Sequence, residues 1–435
     1  MKLEPQSLEI LGRALKELER RFEALPDYNP VTPGAGGMEA VLEEVAARMG
    51  DNFPYFHPLY AGQMLKPPHP IARAAYALAM YLNPNNHALD GGRASSEMEK
   101  EAVAEIARMF GWERHLGHLT GGGTMANLEA LWVAGRLHPG KKIVASEQAH
   151  YTHSRISGVL QLPFESVDVD ARGRMDMDAL ERVAKSGEVG CVVATLGTTA
   201  TGSVDPLPDI LALRERHGFR VHVDAAYGGY FRLVDNLDAE ARAAFDRIGE
   251  ADSIVVDPHK HGLQPYGCGC ILFRSPEVGV LYKHDSPYTY FSSHELHLGE
   301  ISLECSRAGA SAVALWATQR LLPLIRGGEF ALGLSACRRA ALGLYERLGS
   351  DSRFVRAFRP ELDIVVWAPR AETGEEISNL SRRLFEQAAQ RGLQLALATL
   401  PGAFFGRAEP GILCLRSVLM KPEHEAWLDR IWTLL

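Results

Sequence analysis

Between about residues 95 and 275, short apolar runs rich in β-branched side chains alternate with stretches of helical spacing. Lys142-Ile143-Val144-Ala145, Cys191-Val192-Val193-Ala194-Thr195-Leu196, Val221-His222-Val223-Asp224 and Ile254-Val255-Val256-Asp257 read as strands buried on both faces. Residues 176–185, 206–217 and 239–248, which lie between them, carry the spacing of amphipathic helices. Strands alternating with helices predict βαβ units, hence an α/β fold with a mostly parallel central sheet and helices on both faces. Sheets of that kind bind ligands beyond the carboxyl ends of their strands.

The pattern changes past residue 351. Ile364-Val365-Val366-Trp367, a helical stretch over 375–391, and the runs 393–400 and 411–418 predict a small C-terminal α+β domain. Residues 308–322, followed by Gly327-Gly328, read as the connecting helix. The first 25 residues form a charged amphipathic helical pattern, and 26–70, rich in Pro, Tyr, His and Gly without periodicity, read as a structured loop. The division is 1–70 for the N-terminal helix and loop, 71–325 for a large domain and 326–435 for the small one.

Composition narrows the function. Of 435 residues 46% are hydrophobic and 23% charged, as in an ordinary globular protein, and the net charge of −8 with scattered basic residues argues against nucleic-acid and anionic-membrane partners. The start lacks the apolar core of a signal peptide, and no run approaches the length of a membrane span. Six cysteines are too sparse for a disulfide framework. Cys268 and Cys270 have no second cysteine pair nearby to complete a zinc site, so reduced thiols in the cytoplasm are expected and no metal is.

Three features bear on chemistry. Asp257-Pro258-His259-Lys260 follows a strand, Asp224-Ala225-Ala226 closes another, and Thr120-Gly121-Gly122-Gly123-Thr124 opens a helical stretch. A lysine, an aspartate and a glycine turn, so placed, are what pyridoxal 5'-phosphate (PLP) needs: an amine for its aldehyde, a carboxylate for its ring nitrogen and a helix start for its phosphate. Each has a plainer reading. Lys260 alone is equally a loop lysine, and the plainer reading of Asp224, less favoured than the cofactor role, is a helix cap. His150 at a third strand end stacks on a flat ring or sits as a satisfied core histidine. Thr198 and Thr199 contact a cofactor or merely close a turn. The glycine turn matches neither the dinucleotide nor the nucleoside-triphosphate pattern.

Together, His150, Thr198-Thr199, Asp224-Ala225-Ala226 and Pro258-His259-Lys260, in this order and spacing, resemble the group II PLP-dependent amino-acid decarboxylases. The resemblance runs from about His57-Pro58 to Arg416. It implies fold-type I, the aspartate aminotransferase architecture, as a homodimer with active sites at the subunit interface. It further implies that Lys260 is the Schiff-base lysine, His259 a phosphate contact, Asp224 the partner of the ring nitrogen, Ala226 the residue under the ring and His150 the one stacked over it. Gly122, Gly123 and Thr124 match the phosphate turn. Tyr288 matches the tyrosine that returns a proton to the substrate carbon, with Tyr290 close enough to compete, and Gln63 and Arg416 match contacts to a substrate carboxylate. Asp257 departs from the asparagine of many members, and 87–92 lacks a tryptophan found in the aromatic decarboxylases.

The expected reaction is loss of the α-carboxylate of an L-amino acid as carbon dioxide, with Lys260, His150 and Tyr288 as catalytic groups. The pocket's orientation of the carboxylate sets which bond breaks. Rival readings are a carbon–carbon lyase of the sphingosine-phosphate lyase type, an aminotransferase and a non-catalytic binding relative.

Overall fold

The computed structural model describes residues 5–29, 36–283 and 297–435. Its centre is a seven-stranded sheet in the order β1-β7-β6-β5-β4-β2-β3, built from Leu116–Thr120 (β1), Lys142–Ser146 (β2), Phe164–Val167 (β3), Val189–Thr195 (β4), Arg220–Asp224 (β5), Ser253–Val256 (β6) and Gly269–Phe273 (β7). Strands β3, β2, β4, β5 and β6 run parallel, and β7 is antiparallel to both its neighbours, β6 and β1. Every residue of β4, β6 and β7 is buried. That is why these strands are unbroken apolar runs rather than alternating ones: helices cover both faces.

The helices Met177–Ala184, Leu207–His217 and Ala239–Asp246 lie where their spacing predicts. Asp176 caps the first by accepting the Ala179 amide at 2.7 Å. A second, antiparallel sheet of order β10-β11-β9-β8 uses Phe354–Arg356 (β8), Ile364–Pro369 (β9), Ala396–Leu400 (β10) and Ile412–Val418 (β11). It packs against Glu329–Ser350 and Gly374–Gln390, with Trp367, Leu344, Val365 and Leu415 in its core.

One expectation is corrected. Residues 26–70 are not loop throughout, because Met38–Met49 is a helix; its Met, Glu, Ala, Leu and Arg residues are strong helix formers and outweigh the Pro and Gly of the flanks. The helix expected over 308–322 is present as Gly309–Leu321, and Gly327 in the left-handed region (φ 73°) separates it from the longer helix Glu329–Ser350. The segment around Tyr60 is tied to the small domain by a bridge to Gln394, with the Ala61 amide donating to Gln394 O at 2.8 Å. That tie carries Gln63 to β11.

Candidate active site

Strands β1, β2, β4, β5 and β6 end at one edge of the large sheet, and a cavity of about 600 Å³ opens there. Its lining includes the 121–124 turn, His150, Thr199, Asp224, Ala226, His259 and Lys260. Side chains scattered over 140 residues of sequence thus meet because parallel strands deliver their carboxyl ends to the same edge.

The turn after β1 leads directly into the helix Gly123–Leu137, whose first amides are free to receive an anion. Gly122 has φ 151°, which disfavours any side chain. Across from it a Cβ on Gly269 would lie 2.5 Å from the Gly122 carbonyl carbon, so Gly269 is glycine because its backbone touches that of the turn. The Gly121 amide donates to Glu304 Oε2 at 2.9 Å, which brings a carboxylate to the rim of the turn.

Lys260 is held by the tight turn after β6, its amide donating to Asp257 O at 2.9 Å and its Nζ 3.0 Å from Asp257 Oδ2. Asp257 Oδ1 is buried and, among the described residues, has no hydrogen-bond partner. His259 stacks against Tyr266 with ring centroids 4.6 Å apart, and burial lowers its pKa below the ordinary imidazole value. Burial likewise lowers that of His150, whose Nδ1 lies 2.8 Å from Thr152 Oγ1. Neutral imidazoles at neutral pH are the outcome.

Asp224 is 5% exposed. Burial alone would raise its pKa, but the His153 hydrogen bond and field, then Lys260 and the Ala226 amide, outweigh it and hold the carboxyl well below the usual range. The group is an anion almost wholly enclosed by protein, with its exposed edge in the cavity.

Not every expected residue lines the cavity. Thr198 is fully buried and its hydroxyl is taken up by Thr201 Oγ1 at 2.7 Å and the Ser203 amide at 3.0 Å, whereas Thr199 does face the cavity. Arg416 and Gln63 meet each other, Nη2 donating to Oε1 at 3.2 Å, but neither is part of the cavity wall. Tyr288 and Tyr290 lie outside the described residues. Conversely, the sequence reading passed over Asn127, Tyr227, Glu304 and His153. Asn127 was findable, since one helical turn after Thr124 it is a polar residue on an apolar face. His153 was not, because the carboxylate it meets is 71 residues further along the chain.

PLP fits this donor set. A buried carboxylate stands ready for a ring N–H, an amine for an aldehyde, a glycine-lined helix start for a phosphate and a neutral imidazole for the ring face.

Comparison with known proteins agrees. Residues 54–368 match the pyridoxal-dependent decarboxylase conserved domain. The chain is 28% identical to an L-tyrosine decarboxylase of Enterococcus faecium, over 81% of this chain and 76% of that one. It is 31% identical to a probable L-tyrosine/L-aspartate decarboxylase of Methanoculleus marisnigri, over 72% and 83%. In fold it is similar to Oryza sativa TDC with PLP and tryptamine (TM-score 0.81, 19% identity, 100% and 98% covered) and to mouse CSAD in apo form (TM-score 0.78, 21% identity, 99% of each chain). The chain belongs to the pyridoxal-dependent decarboxylase family and is a PLP-dependent amino-acid decarboxylase.

Proposed function

We propose that Lys260 is the amine that bonds the cofactor's aldehyde, that Asp224 pairs with the ring nitrogen, that His150 covers one ring face with Ala226 beneath the other, and that Gly122, Gly123, Thr124 and His259 receive the phosphate. The observation that carries this reading is the convergence of Lys260, Asp224 and the glycine turn on one cavity. PLP supplies, when bound, a conjugated ring that accepts the electron pair left on Cα as carbon dioxide departs. Asp224 keeps a full negative charge where that ring nitrogen must hold its proton. Lys260, 21% exposed at its side chain, lines the cavity with its Nζ 3.0 Å from Asp257 Oδ2.

Arg416 holds a substrate carboxylate, with Gln63 fixing its guanidinium. The substrate is L-tyrosine or L-aspartate, the two amino acids named by the relatives; both present the carboxylate that such an arginine grips. Tyr288, with Tyr290 as its competitor, returns the proton to Cα directly or through His150.

The protein works as a homodimer in a reducing compartment, the cytoplasm. The helix Met38–Met49 has no buried residue and exposes Met38, Val41, Leu42, Val45 and Met49, an apolar face that a second copy would cover. All six cysteines are free. Among the described residues no helix is long and apolar enough to cross a membrane.

The test is carbon dioxide release by the purified holoenzyme from L-tyrosine, L-aspartate, L-glutamate, cysteine sulfinate and L-2,4-diaminobutyrate, with borohydride reduction and peptide mapping alongside. Release from tyrosine or aspartate, and a pyridoxyl label on Lys260, support the reading. A label on another lysine, or turnover confined to the other three, overturns the corresponding half.

A further inference from the structure

Asp224 is more heavily engaged than its pairing with a cofactor requires. Oδ2 accepts from His153 Nε2 at 2.8 Å and from Asn127 Nδ2 at 3.2 Å, and Oδ1 accepts the Ala226 amide at 3.0 Å. A carboxylate offers about four acceptor positions. The protein fills all but one, and the free position is on Oδ1.

The two side-chain donors differ in kind. Behind Asn127 stands His222, with Nε2 2.8 Å from Asn127 Oδ1 and Nδ1 2.8 Å from Ser253 Oγ. Burial lowers the His222 pKa to about 3, so it is neutral, and every proton in this arm points one way: Ser253 to His222, His222 to Asn127, Asn127 to Asp224. The arm is anchored in β5 and β6. His153 is the other arm and ends at itself. It is fully buried, and its Nδ1 has no hydrogen-bond partner among the described residues. Because the Asp224 carboxylate can only accept, the proton of His153 sits on Nε2. A buried imidazole that leaves one nitrogen unsatisfied contributes little to folding through that nitrogen. Among the described residues, the one hydrogen-bond partner of its side chain is the carboxylate that faces the cavity.

We propose that His153 is a positioning residue for the cofactor ring: its Nε2–H holds Asp224 ionised and turned, so that the proton shared between Oδ1 and the ring nitrogen stays on the nitrogen. This rests on Asp224 being the ring's partner. Without the His153 donor the carboxylate is a stronger base, and the shared proton moves from nitrogen to oxygen. The ring then draws electrons from Cα less strongly. Substrate contacts are untouched, so the loss falls on kcat and spares KM.

The experiment uses holoenzyme reconstituted with PLP carrying nitrogen-15 in the ring, read by NMR, on His153→Phe, His153→Gln and Asp224→Asn. His153→Phe should move the ring-nitrogen resonance from the protonated towards the unprotonated range and lower kcat by tenfold or more with KM within twofold. His153→Gln, whose amide N–H sits at about the reach of Nε2, should restore both. If the Phe variant does not fold, His153→Asn, polar but too short to reach, supplies the same contrast. A merely structural His153 would lower melting temperature and cofactor occupancy while leaving the resonance of the loaded fraction in place. That result overturns the inference. Asp224→Asn separates the two layers: an unchanged resonance there means that Asp224 does not partner the ring, and the underlying reading fails instead.

Discussion

Two cavities of the molecule are similar in size and opposite in character. The one lined by Lys260 and Asp224, about 600 Å³, sits at the sheet edge, and its polar groups answer one another: Asp224 with His153, Asp257 with Lys260. The other, about 630 Å³, lies between the start of the helix Pro70–Met80, the start of Glu329–Ser350 and the 421–423 turn. Two lysine amines line it, yet among the described residues each donates only to a carbonyl, Lys66 to Met420 O at 3.2 Å and Lys421 to Tyr60 O at 2.7 Å. Burial lowers both pKa values, that of Lys421 to about 7. Volume therefore does not mark the working site. Opposed charges held within hydrogen-bond reach of each other, and of a free acceptor, do.

The sharpest way to break this contrast is Lys260→Ala. Turnover should fall to background and borohydride should leave no pyridoxyl label, because no other amine meets Asp224 and the glycine turn in one cavity. Retained label or turnover ends the assignment. Next, Arg416→Gln should lower kcat/KM by roughly ten- to a hundredfold, the worth of about 1.5–3 kcal/mol for a buried charged hydrogen bond, with cofactor absorbance unchanged. An unchanged kcat/KM would remove Arg416 from substrate binding.

The second cavity should respond in stability rather than in catalysis. His424 lies beside it, accepting the Lys421 amide at Nδ1, and burial, then Lys421, lower its pKa to about 3. The unfolded chain, with an ordinary imidazole near about 6.5, takes up the proton first. The stabilisation is thus complete above that pH and is lost as pH falls towards the folded value. His424→Asn keeps the acceptor and removes the titration. Its unfolding free energy should depend less steeply on pH between 6 and 4, by up to about 1.4 kcal/mol per pH unit, as read by denaturant melts; parallel wild-type and mutant slopes would refute it. The smallest effect is expected for Lys66→Met. Replacing an ammonium that has no carboxylate partner by an apolar chain of similar length should stabilise by about 1 kcal/mol and leave kcat unaltered. A drop in kcat would show that the two cavities are linked.

What was legible in the sequence follows from burial. Strands β2, β4, β5 and β6 announce themselves because both faces are covered and every position is free to be apolar. Strands β1 and β7 do so less, since Leu-Gly-His-Leu-Thr is interrupted by a glycine and Gly-Cys-Ile-Leu-Phe begins on one. Those interruptions have a cause: a Cβ on Gly117 would lie 2.7 Å from Ile271 O, and Gly269 presses on Gly122. The closeness that shapes the phosphate turn thus erases the strand pattern. β3 is short and mostly uncovered, so no run forms. In the site, Lys260 and Asp224 are readable because each ends a clear strand. His153 is one of sixteen histidines and its partner is 71 residues away, so nothing local distinguishes it.

The place of β7 has a consequence for how the enzyme comes into being. It is the last strand of the large sheet to be made, yet it lies between β1, which carries the glycine turn, and β6, which carries the lysine. Until Gly269–Phe273 has been synthesised and has slid into that gap, the glycine turn and Lys260 have no fixed separation. The early strands can pair with one another as they emerge, but these two elements cannot be brought into register. On the proposed assignment of the site, cofactor capture is a late event in assembly. A chain stopped short of β7 should hold much of the sheet and none of the colour.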